Sequence, residues 1–98
     1  MRIFISQPMK GKTDSEIKQE RERIIEKVRE EYGEAVTVIE SFFEGAPAAA
    51  KPLWFLGKSL EMLAGADLAV FASGWQDARS CRIEHDCAVA SAIGTMEM

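Results

Sequence analysis

The stretch Gly74-Trp75-Gln76-Asp77-Ala78-Arg79-Ser80-Cys81-Arg82-Ile83-Glu84-His85 gathers carboxylates, guanidinium groups, a hydroxyl and an indole in one short segment. It follows the apolar run Leu68-Ala69-Val70-Phe71, read as a buried strand. It leads into Cys87-Ala88-Val89-Ala90-Ser91-Ala92-Ile93, read as a helix of small and apolar residues. The junction between a strand's C-terminal end and the next helix is where open α/β sheets bind ligands. Glu84 is expected in the first turn of that helix, where the dipole stabilises negative charge. The plain reading is that it stands there for this reason alone. The functional reading uses the same physics: a carboxylate kept ionised by helix amides, at a crevice rim, can attack a sugar C1 or stabilise an oxocarbenium ion. That chemistry also needs an acid. Asp77, Asp67, Glu40 and Glu44 are the candidates, with Asp77 in the same segment.

Other groups suit binding. Lys10, Gly11 and Lys12 put two cations and a flexible backbone beside an expected helix N-terminus, a setting that suits phosphate. A solvated turn with ordinary lysines explains them equally, and the spacing is not that of a Walker loop. Arg79, Ser80 and the free amides that open the following helix form a second anion cradle, although Ser80 also fits an N-cap. Trp75, next to Gly74, offers a flat surface to a base or sugar, or packs against the core. His85 follows Glu84 and so projects about 100° around the helix from it, at the surface or in a supporting position.

These residues need elements to position them. Residues 2–6 read as a buried strand, followed by the loop Gln7-Pro8-Met9-Lys10-Gly11-Lys12. Thr13 and Glu16 spell a capping box that starts a helix reaching Tyr32, with Ile17, Ile24, Val28 and Tyr32 on its core face and a solvated Glu/Lys/Arg face opposite. Gly33 ends it. Residues 36–39 form a second strand, and residues 40–51 a long connection that suits an active-site flap. Pro52 opens a second helix that is apolar on more than one side and ends at Gly65; Trp54 or Phe55 suits a subunit contact. The third helix is expected over 80–93, and residues 95–98 fit a last edge strand. Strands alternating with helices imply a three-layer α/β fold around a small parallel sheet of flavodoxin-like, Rossmann-like order 2-1-3, with a possible fourth strand. The crevice then lies between Gln7–Lys12 and Gly74–Ser80.

Size and composition narrow the classes. The chain has 98 residues, 47% hydrophobic and 29% charged, which fits one globular domain over residues 1–98. A core of this size is modest, so association into a homo-oligomer would help it. The net charge of -4 argues against a nucleic-acid polymer as partner. Cys81 and Cys87 stand six residues apart, which turns a helix by roughly 600° and separates them by about 9 Å along its axis, too far for a disulfide. A reduced, cytoplasmic protein is expected, with no membrane span, metal or cofactor.

The opening Met1-Arg2-Ile3-Phe4-Ile5-Ser6-Gln7-Pro8-Met9-Lys10-Gly11-Lys12 and the segment 74–85 resemble a small family of phage and bacterial proteins. That family is similar to the nucleoside 2-deoxyribosyltransferases and the 2′-deoxynucleoside 5′-phosphate N-hydrolases. The resemblance implies cleavage of an N-glycosidic bond, or deoxyribosyl transfer, through a covalent ester on Glu84. It implies no cofactor and an oligomer whose neighbouring subunits complete the sites. Lys10-Gly11 matches a basic residue and glycine of the hydrolases, and Glu84 falls on the nucleophile of a Ser-x-Gly-x-x-x-Glu pattern. This chain has Ala78 in place of that serine, Ser80 in place of that glycine, and Ser59 where the hydrolases carry an assisting aspartate. Lys10, Arg79 and Ser80 would hold phosphate or ribose, and Gln7, Met9 and Trp75 the base. The alternative reading is a non-catalytic module that binds, senses or sequesters a nucleotide derivative.

Overall fold

An uninterrupted apolar run must bury both of its faces, and Ile3, Phe4 and Ile5 do so in β1 (Arg2–Ser6). The computed structural model describes residues 1–40 and 49–98. The remaining strands are β2 (Thr37–Val38), β3 (Leu68–Phe71) and β4 (Gly94–Glu97), and the helices are α1 (Asp14–Tyr32), α2 (Pro52–Leu63) and α3 (Arg79–Ala90). The sheet has the order β2-β1-β3-β4 and every pairing is parallel. The expected 2-1-3 order thus holds, and the last strand is present, starting at Gly94. Ser6 pairs with Phe71 at the C-terminal end of the β1–β3 ladder.

Strand alternation distributes the core between two layers. Ile3, Ile5, Leu68 and Val70 pack with Ile24 and Val28 of α1. Phe4, Ala69 and Phe71 pack on the other face with Leu63 of α2 and Ala88 of α3. The chain therefore leaves β1 and β3 towards opposite faces of the sheet, which opens a crevice between their C-terminal ends.

The capping box is complete: the Glu16 amide donates to Thr13 Oγ1 at 3.1 Å, and the Thr13 amide donates to Glu16 Oε1. At the other end Gly33 takes φ 89° and its N–H donates to Arg29 O, a conformation that disfavours a side chain. Thr13→Ala is expected to lower stability by about 1 kcal/mol, read as a shift of the urea midpoint at constant m-value.

Four local expectations change. Tyr32 is 48% exposed, because it falls in the last turn of α1, beyond the edge of the sheet packing. Arg21 leaves the solvated face: it is buried, and its Nη2 donates to Ile39 O at 2.9 Å, tying α1 to the segment after β2. The second helix stops at Leu63, two residues before Gly65, with Ala64 as its C-cap. Helix α3 starts at Arg79, so Ala78, in extended conformation, is its N-cap in place of Ser80.

Candidate functional site

A cavity of about 750 Å³ opens at the C-terminal ends of β1 and β3, between the loop after β1, the segment 74–80 and the start of α2. This is the crevice expected from the strand order. Met9 and Lys10 line it from one side, and Gly74, Asp77, Arg79 and Ser80 from another. Leu53, Phe55, Leu56 and Ser59 of α2 form a third, largely apolar wall.

Glu84 also lines this cavity, and it is 5% exposed. It lies in the second turn of α3, since the helix begins five residues earlier, at Arg79. Side chains on a helix lean towards its N-terminus, so Glu84 reaches back under the first turn to the cavity. Its Oε1 accepts a hydrogen bond from Ser6 Oγ at 3.0 Å. Among the described residues this is its one hydrogen bond. Burial pushes its pKa up to about 7, and the Ser6 bond opposes that rise. The expectation that first-turn amides hold this carboxylate ionised is therefore overturned: those amides belong to residues a turn away, and desolvation dominates.

Further site assignments change. Trp75 does not line the cavity. Its ring stacks on His85 (centroids 4.2 Å apart, planes at 17°) and meets Phe71 at 5.5 Å, so it closes the core under α3. His85 in turn bonds Glu97 of β4, Nε2 to Oε1 at 2.9 Å. Gly11, at φ 80°, supplies the left-handed turn that leads into α1 and lies outside the lining. Gln7 borders the cavity, but its amide turns to α1, where Nε2 donates to Ile17 O at 3.1 Å and to Glu20 Oε1 at 3.0 Å. Nε2 thus clamps the loop, while Oε1 is buried without a hydrogen-bond partner among the described residues. Lys12 also bonds Glu20, at 3.2 Å, which leaves Lys10 as the lining cation of this loop.

The candidate acids separate as well. Asp77 is exposed and lines the cavity. Asp67 sits at the opposite end of the sheet, where its Oδ2 accepts the Arg2 amide at 2.7 Å. Glu40 is exposed and outside the lining. Glu44, with most of the expected flap over 40–51, falls outside the described residues.

Sequence reasoning passed over Ser6, although a small polar residue closing the apolar run Ile3-Phe4-Ile5 was a legible signal. Of Trp54 and Phe55, named for a subunit contact, Phe55 lines the cavity, together with Leu53. Among the described residues no cluster of His, Cys, Asp or Glu is placed to hold a metal ion, and no helix is long and apolar enough to cross a membrane. No protein-family model matches the chain, and no curated protein or solved structure matches it either.

Proposed function

We propose that the cavity binds a 2′-deoxynucleoside 5′-monophosphate or its nucleoside and that Glu84 cleaves the N-glycosidic bond. The observation that carries this reading is one buried carboxylate opening onto a cavity that is cationic at one rim and apolar along α2. Lys10, Arg79 and Ser80 suit a phosphate, and Phe55, Leu53 and Met9 suit the flat, apolar face of a base. The ionised Glu84 attacks C1′ and the C1′–N bond breaks. Its electron pair goes to the base nitrogen, which takes a proton from Asp77 or from water. A water then attacks C1′, its proton leaves to the base form of Asp77 or to solvent, and the Glu84 carboxylate is released. A second base in place of that water would complete a transfer instead.

The same reading takes the protein as a cytoplasmic homo-oligomer without a cofactor. The free thiols Cys81 and Cys87 suit a reducing compartment. A non-catalytic nucleotide-binding module is the second reading. It is favoured by Ser59, since the α2 residues that line the cavity include no carboxyl.

Incubation with the four deoxynucleosides and their 5′-monophosphates, followed by chromatography, tests both. The expected outcome is free base, with the monophosphates preferred. Intact ligand that raises the melting temperature supports the binding module. Neither base release nor a thermal shift with any of them sinks the nucleotide reading.

A further inference from the structure

Ser6 is a fixed point in this fold. It ends β1, pairs with Phe71, and its carbonyl accepts the Ala72 amide at 2.9 Å. It is 2% exposed. Alternation along β1 sends its side chain to the same face as Phe4, the face covered by α2 and α3. The hydroxyl therefore meets α3, where it donates to Glu84 Oε1 at 3.0 Å, with Cys81 three residues earlier on the same helix face. A serine has one proton to give. That proton is given to the Glu84 carboxylate.

We propose that Ser6 is the positioning residue of this site: its hydroxyl, fixed at the end of β1, pins Oε1 of Glu84 so that the second oxygen meets the sugar carbon of a bound deoxynucleotide. This rests on the reading of Glu84 as nucleophile. A glutamate has three rotatable bonds, and attack requires an oxygen held within about 3–3.5 Å of the carbon along the right line. A hydrogen bond from a strand-anchored hydroxyl removes most of that freedom and leaves one oxygen available. It also favours the charged form that attacks, against the desolvation that disfavours it.

The charged or titratable groups around this carboxylate are few. Cys81 lies beside it on α3, Asp77 and Arg79 line the cavity before and at the start of α3, and Lys10 lines it from the β1 side. The α2 residues that line the cavity carry no charge.

The test uses the whole chain with side-chain carboxyl-labelled glutamate, the Glu84 signal being assigned by its loss in Glu84→Gln. Ser6→Ala removes one oxygen from the interior and keeps the strand. It is expected to raise the Glu84 titration midpoint by about one pH unit. The pH profile of kcat/KM should move by the same amount, and kcat should fall about 10–100-fold with little change in KM. An unmoved Glu84 titration, or an unchanged kcat, overturns the role of Ser6 while base release by the unmodified protein continues. Absence of base release from the unmodified protein removes the nucleophile reading itself, and with it the role given to the second oxygen.

Discussion

Glu84→Gln is expected to lower kcat for N-glycosidic cleavage by about 10³-fold or more, with ligand affinity nearly unchanged. The substitution keeps the shape and an acceptor for the Ser6 hydroxyl, so the cavity should keep its geometry. What it removes is the oxygen that forms the bond to C1′. Stopped incubations read by chromatography measure the rate, and thermal shift with a deoxynucleoside monophosphate measures the binding. In the unmodified protein, kcat/KM should rise about tenfold per pH unit on the acid side and level off above about 7, where the buried carboxyl becomes ionised. A variant that releases base at the unmodified rate would show that Glu84 is a buried structural acid and no nucleophile.

The second large effect concerns stability, and its sign follows from the same burial. Glu84 holds its proton up to about pH 7 in the folded chain, against an ordinary value of 4.5. Between those values folding takes up a proton, so stability falls as pH rises. The contribution is whole below about pH 4.5 and lost above about pH 7, up to about 3 kcal/mol in all. Glutamine carries no charge to desolvate. Glu84→Gln should therefore match the unmodified protein near pH 4.5 and melt up to roughly 12–24 °C higher at pH 8. The difference between the two melting curves across that range isolates this residue from the other carboxylates. Parallel curves would mean that Glu84 does not titrate there. A side chain that destabilises the fold in its working charge state is a common mark of a site kept for chemistry.

The two effects bear on each other. Activity needs the ionised form and stability favours the protonated one, so one titration should raise the rate and lower the melting temperature together.

Much of the architecture was legible from local pattern. The apolar runs 3–5 and 68–71, Thr13 with Glu16, Gly33 and Pro52 each act within a few residues, through strand burial, capping and backbone preference. Their alternation along the chain implied the parallel sheet and placed the crevice between β1 and β3, where the cavity is found. Lys10, Asp77, Arg79 and Ser80 could be assigned to it because they lie in the two loops that the strand order brings together. Side-chain direction and burial were beyond that reach. A two-residue shift of the α3 N-cap, from Ser80 to Ala78, moved Glu84 out of the first turn, and desolvation dominates there instead of the dipole. Trp75 turned to His85 and the core, and Gln7 to α1, because partners on the following helix, ten residues on, claimed them. The Ser6–Glu84 bond joins residues 78 apart, and only the meeting of β1 with α3 in three dimensions creates it. Short-range preferences act through neighbours along the chain, whereas the charge state of a buried carboxylate depends on every group that displaces its water.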